Sequence, residues 1–264
     1  MTFGQRPSHI IKPKTGPDDP ELLETLQEAL AQADAADLVA VADELAERHH
    51  RFVERLGRTN GTGRPDLSPD DLRWIARSVT ATRRQARMLT DDLSRRPVAS
   101  LVDDLLHGTG PAPARIARFV ARLEGLDPRL GLELATGLLH YTAPAEHWLW
   151  TRWLWDRTTQ TGILSLLAGS VRNLLADDLA EGYVRVGSVT AMSMRFAEGT
   201  GLLTPALVND PRRSPFAADA FLACAYSVYL YGITSWRLSR EFNRLLPSLP
   251  DMVRRLLGLS KAGG

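Results

Sequence analysis

Lysine is almost missing from this chain of 264 residues: it stands at Lys12, Lys14 and Lys261, and every permanent cation between Lys14 and Lys261 is arginine. A P-loop lysine, a Schiff-base lysine for pyridoxal phosphate and a kinase-type phosphate lysine are therefore excluded from the body of the chain, because each role needs an amine that a guanidinium cannot replace. Cysteine is scarcer still. Cys224 stands alone in an apolar segment, which excludes intramolecular disulfides, zinc fingers and iron–sulfur clusters and predicts a small buried hydrophobe. The net charge is only +1, so no global attraction to nucleic acid or to an anionic membrane is implied. Neither a Gly-x-Ser-x-Gly elbow nor a glycine-rich dinucleotide fingerprint occurs.

Long apolar runs are also few. Phe216 to Trp236 is the longest, but Asp219, Ser227, Thr234 and the flanking arginines interrupt it, so it reads as a central buried helix rather than a membrane span. Residues 1–19 carry prolines, glycines and a few bases without the apolar core of a signal peptide. They are expected to form a disordered arm on a cytoplasmic protein.

What is present is helical periodicity. Leu22, Leu26 and Leu30 form one stripe, and Leu38, Val41, Leu45, His49, Phe52 and Leu56 form the next, which predicts an N-terminal helical hairpin over 20–57. A glycine-, asparagine- and proline-rich connection follows. Ser68-Pro69-Asp70-Asp71 then carries the signature of a helix start, a capping serine with proline and acids in the first turn, for a helix expected to run to about Leu93. Further helices are predicted at about 98–107, 112–123, 129–141, 145–156, 162–176, 177–198, 215–239 and 251–257, with Gly258 as the last C-cap. Tyr183 to Val186 could locally be extended. The fold class is all-α: a single bundle of about ten helices whose main domain covers 68–258.

The densest feature is His140-Tyr-Thr-Ala-Pro-Ala-Glu-His-Trp-Leu-Trp-Thr-Arg-Trp-Leu-Trp155, which holds four of the six tryptophans. As a helix beginning at Pro144 it would carry Trp148, Arg152 and Trp155 on one face and Trp150, Trp153 and Leu154 on the others. Arg152, a permanent charge among indoles, then needs an acidic partner, a ring face or an anionic ligand. Asp156 is the nearest acid along the chain. His140, Tyr141 and His147 flank the segment, and Glu133 lies two helical turns before His140. Together His140, Tyr141, His147, Trp148, Arg152 and Trp155 are the candidate ligand-binding set.

Other constellations are less complete. Glu47-Arg48-His49-His50 has the Glu-x-x-His spacing of di-iron bundles, with Asp43, Glu47, His50 and Glu54 on one face, but there is no second such motif, so a solvated acidic face is expected. Asp177-Asp178-Leu-Ala-Glu181 is similar to the Asp-Asp-x-x-Asp/Glu motif of all-helical terpene synthases. That resemblance implies carboxylates holding magnesium against a diphosphate. The second metal motif of those enzymes is not legible, since Asn209-Asp210 is followed by Pro211. Leu123 to Ala135, with Gly125 and Gly131, resembles a helix-hairpin-helix element, whose turn offers backbone N–H groups to a phosphate. Arg73, Arg77, Arg83, Arg84, Arg87, Arg95 and Arg96 would support such binding. The catalytic aspartate and lysine of the DNA glycosylases that use this element are missing. Glu241 to Leu257 is amphipathic and is expected to pack on its own body or to dock in a partner groove.

No nucleophile–base set, metal set or cofactor fingerprint can be assembled. The sequence therefore predicts a non-catalytic accessory or binding protein that uses an aromatic, arginine-containing surface around residues 140–156. Its partner would be a small anion or another protein, with no cofactor, metal or membrane involved and nucleic acid disfavoured. A helix-hairpin-helix nucleic-acid binder and a magnesium-dependent helical lyase or synthase are the alternatives.

Overall fold

The computed structural model describes residues 20–59, 61, 63–79, 83–235 and 248–259. The expected N-terminal arm lies outside them, as do residues 236–247, which hold the end of the helix expected at 215–239 and the first part of the amphipathic segment expected at 241–257. Twelve α-helices and no strands occur among the described residues, so the chain is all-α.

Helix α1 is Pro20–Leu30 and α2 is Ala35–Gly57, whose N-cap Asp34 accepts from the Ala36 amide at 2.9 Å. The predicted stripe of α2 is buried at Leu38, Val41, Leu45, Phe52 and Leu56. Helix α1 packs chiefly on a later helix, α11 (Ala217–Ser235), rather than on α2, and α11 packs on α2 as well. Where one helix was expected from residue 68 to about Leu93, there are two, α3 (Pro69–Val79) and α4 (Arg83–Leu93), lying against each other. The start of α3 follows the sequence: Ser68 Oγ accepts from the Asp71 amide, and Asp71 accepts in return from the Ser68 amide and hydroxyl. Burial alone would push the Asp71 carboxyl up, but these bonds and those from Arg55 and Arg58 outweigh it and hold it at about 2.

Helices α5 (Val98–His107) and α6 (Ala112–Ala121) lead into α7, Pro128–Thr142, capped by Asp127 with proline at the first position. Helix α7 is buried on every side from Leu130 to Tyr141 and packs on α2, α3, α5 and α6. After it come α8 (Ile163–Leu167), a 3-10 turn at Val171–Asn173, α9 (Leu179–Glu198), α10 (Pro205–Val208), α11 and α12 (Leu249–Leu256). Residues 183–186 are helical within α9. Ala217, Ala220, Phe221, Leu222, Ala223, Cys224 and Ala225 of α11 are buried, as the long apolar run predicted. Helix α12 packs on α11 and α2 and ends at Gly258, in the left-handed region at φ 64°. No helix among the described residues is long and apolar enough to cross a membrane.

Candidate functional site

The tryptophan-rich segment is not a helix. Residues 143–162, between α7 and α8, form turns and irregular backbone, and a connection of this length without regular structure is uncommon unless it has a specific use. Apart from isolated i→i−4 bonds from the His147 amide to Ala143 and from the Trp155 amide to Thr151, much of its backbone is bonded by side chains from neighbouring helices. Glu133, Thr136 and His140 lie on one stripe of α7 at i, i+3 and i+7, and the loop runs antiparallel along that stripe. His140 Nδ1 donates to the His147 carbonyl at 2.6 Å. Thr136 Oγ1 accepts from the Trp150 amide at 3.2 Å, and Glu133 Oε1 accepts from the Arg152 amide at 3.2 Å. From α9, the Tyr183 hydroxyl accepts from the Trp148 amide at 3.1 Å and donates to its carbonyl. A helix over 145–156 would bond its own backbone and leave Glu133, Thr136 and His140 without these partners, so the polar stripe of α7 favours the loop.

Glycines on α9 seat the indoles. A Cβ on Gly182 would stand 2.7 Å from Trp150 Cη2, and one on Gly187 would fall 1.9 Å from Trp148 Cε2. Trp150 and Trp155 are fully buried, and Trp150 Nε1 donates to the Trp155 carbonyl at 2.9 Å. Trp148 remains 38 % exposed. The loop closes at an Asp156–Thr161 bridge and at Gly162, whose φ of 125° and close approach to the Leu154 carbonyl leave no room for a side chain.

The partner of Arg152 is Glu133, at 3.3 Å from Nε, and not the sequence-adjacent Asp156. Asp156 instead accepts from the Thr158 and Thr159 amides and lies 4.0 Å from Arg129. Burial pushes the Glu133 carboxyl above its ordinary range, and the Arg152 amide and guanidinium only partly oppose this. The Nη atoms of Arg152 bond to no described residue. Arg152 lines a cleft of about 40 Å³ together with Arg129, Glu133, Thr151, Trp155 and Arg157, among others. Trp155 Nε1 is fully buried, with no hydrogen-bond partner among the described residues. Across Glu133 lies a second cavity of about 30 Å³, lined by Tyr141, Thr151, Trp153 and Gly258, with Thr151 Oγ1 and Trp153 Nε1 unpartnered. It has room for water.

Of the six predicted residues, Arg152 and Trp155 line the first cleft, Tyr141 lines the second cavity, and Trp148 lies over α9. His147 supplies its carbonyl to His140. His140 belongs to a buried network at the end of α7, with Nε2 2.9 Å from Asp219 Oδ2 on α11. Burial draws the His140 imidazole down, but the Asp219 carboxylate and the His147 carbonyl outweigh it, and the net shift is upward. Beside it, the buried Arg48 donates to the carbonyls of Ser78, Leu257 and Gly258 and to the Tyr141 hydroxyl. The charge pattern gave no sign of this clamp, because its acceptors are mostly backbone atoms. The stripe of Glu133, Thr136 and His140 was visible as polar residues at helical spacing in an otherwise apolar segment.

The remaining constellations serve local structure. Asp178 caps α9 by accepting from the Glu181 amide, and Glu181 accepts from the Asp177 amide and Arg185. In the turn before α7, Gly125 has φ 83°, Arg96 covers the Arg122 and Glu124 carbonyls, and Asp127 Oδ1 takes the Arg129 amide that a phosphate would use. On α2, Asp43 pairs with Arg213 and Glu47 with Arg51. No three metal-binding side chains come together among the described residues. A wider, open cleft of about 480 Å³ beside α3 and α5 has mainly apolar walls, and its Arg96 is already committed to Asp92. Comparison with family models, with curated proteins and with solved structures finds no match to this chain.

Proposed function

We propose that this chain is a non-catalytic binding protein of the cytoplasm, whose tryptophan-rich loop forms a receptor for a small anion of the carboxylate or phosphate type. One observation carries the reading: Arg129, Arg152 and Arg157 border a single cleft, and the Nη donors of Arg152 have no hydrogen-bond partner among the described residues. A guanidinium fork offers two parallel N–H donors to an oxyanion. Glu133 and Asp156 leave the rim with a net positive charge of one, from three arginines less two acids. The small volume selects an anion of a few heavy atoms. A lone buried thiol, Cys224, agrees with a reducing compartment.

The test is thermal melting with acetate, and separately with inorganic phosphate, titrated against chloride at constant ionic strength. Saturable stabilisation by one of them, lost in Arg152→Met, is the expected result. If neither anion raises the melting temperature above the chloride control, the cleft is not an anion receptor and the reading fails.

A further inference from the structure

Three of the large apolar side chains that the chain leaves exposed gather on and beside α9: Val184 (50 %), Met192 (54 %) and Trp148 (38 %), whose indole rests on Gly187. Ser188 and Ala191 are exposed on the same side, so residues 184, 188 and 191 form a stripe at the spacing of one helix face. The inner faces of α9 are occupied by α6, α8 and α11. Glu181, paired with Arg185 at 2.6 Å, stands at the N-terminal end of the stripe and Arg195 at the other. No carboxylate among the described residues pairs with Arg195.

We propose that this face docks a second copy of the same chain, α9 against α9 and antiparallel, with the two-fold axis at Ser188. The pattern is self-complementary about that residue. Four positions to either side lie Val184 and Met192, and seven to either side lie Glu181 and Arg195. In the antiparallel pair each Val184 meets the partner's Met192, each Glu181 meets the partner's Arg195, and the small Ser188 side chains face each other where the helices cross. An isologous interface needs this equivalence. A parallel pairing would set the two Arg195 side chains, which have no carboxylate partner among the described residues, against each other, so the arginine end selects the orientation. The exposed edge of Trp148 flanks the stripe and is covered by the partner copy, which removes the apolar patch from water. One helix pair makes a small interface, so the dimer is reversible and concentration-dependent.

Sedimentation velocity over a range of about 1 to 200 µM, chosen to bracket a weak dimer, tests this in buffer free of candidate anions. The expected result is a shift from monomer to dimer mass as concentration rises. Met192→Glu should stay monomeric throughout while keeping the wild-type melting temperature at the lowest concentration, and Arg195→Glu should weaken the dimer at least tenfold. Ser188→Cys should form a disulfide-linked dimer under mild oxidation, whereas Val53→Cys, equally exposed on α2, should not. Arg152→Met should dimerise like the wild type, which keeps this result separate from the anion cleft. A monomer at every concentration, a dimer that survives Met192→Glu, or equal crosslinking at residues 53 and 188 would overturn the proposal.

Discussion

Two arginines face the same central helix α7 and differ in what they lack. Arg48 is 7 % exposed, has no carboxylate partner among the described residues, and donates from its two Nη atoms to three carbonyls and the Tyr141 hydroxyl, with its guanidinium 5.0 Å from the Tyr141 ring centroid. Arg152 is 39 % exposed at its side chain and has a carboxylate partner, yet it lines a cleft and its terminal nitrogens bond to no described residue. A buried charge whose Nη atoms bond to backbone carbonyls ties chain segments together: Arg48 joins α2 to the end of α3 and to Leu257 and Gly258 after α12. A charge with unused donors at a cleft can act on something outside the chain. The presence of an acidic partner does not distinguish the two. What does is where the remaining N–H groups go.

The sharpest test of this contrast is Arg48→Met. It leaves the carbonyls of Ser78, Leu257 and Gly258 buried without donors, and the expected cost is about 3–5 kcal/mol, read as a fall in midpoint during denaturant unfolding. A loss under about 1 kcal/mol would show that α12 is held without the Arg48 bonds, by apolar packing and by the Arg254–Glu44 ion pair to α2.

His140 links the two regions, since it supports the loop at His147 and faces Asp219 near Arg48. Replacing it with leucine strands the Asp219 carboxylate and should cost about 2–4 kcal/mol. The wild type should also show a pH dependence. The imidazole is raised above its ordinary 6.5 in the fold, so its stabilising contribution is complete below 6.5 and is lost as pH rises through the higher folded value. The groups that face it are Asp219 on α11, Arg48 on α2, Tyr141 on α7 and His147 in the loop. His140→Leu should flatten the alkaline decline in melting temperature between pH 6.5 and 9. An unchanged slope would mean that His140 is neutral in the fold.

Gly182→Ala probes the seat of the loop. The new methyl meets Trp150, which is buried and has no space to retreat, so overpacking should exceed the helix-propensity gain of alanine and leave a net loss of about 1–2 kcal/mol. Gly187→Ala should cost less, because Trp148 can swing outward, and should red-shift tryptophan emission. Equal costs at the two positions would contradict the difference in burial between the indoles.

The smallest stability effect is expected for Arg152→Met, within about 1 kcal/mol. Glu133 keeps its hydrogen bond from the Arg152 backbone amide, and its raised pKa lets it protonate instead of remaining a stranded charge. Loss of anion-dependent stabilisation with little change in unfolding midpoint would set Arg152 apart from Arg48. A cost as large as that of Arg48→Met would place both arginines in the same structural role.

Most helices were legible from local pattern. The stripe of α2, the Ser68 cap, the span of α5 and the glycine end of α12 depend on side-chain periodicity and on bonds between residues a few positions apart, and both are written along the chain. Two expectations differ from the structure. The single helix expected from residue 68 to Leu93 is two helices packed together, and the helix expected at 145–156 is a loop, the latter because its backbone is bonded by groups remote in sequence. Nothing near Trp150 shows that Thr136 and Tyr183 will bond this stretch of backbone or that Gly182 will receive the indole. Propensity and amphipathicity can only rank local conformations.

By itself the sequence determined the helical class, the exclusion of lysine and cysteine chemistry, and the concentration of aromatic and cationic groups around residues 140–156. Tertiary structure alone decided that α7 rather than the tryptophan segment is the helix buried on all sides. It also decided that Glu133 rather than Asp156 faces Arg152 and that Arg48 is spent on backbone carbonyls. Those outcomes follow from hydrogen-bond satisfaction in a low-dielectric interior, where each buried donor takes the acceptor that the packing of distant helices brings within reach.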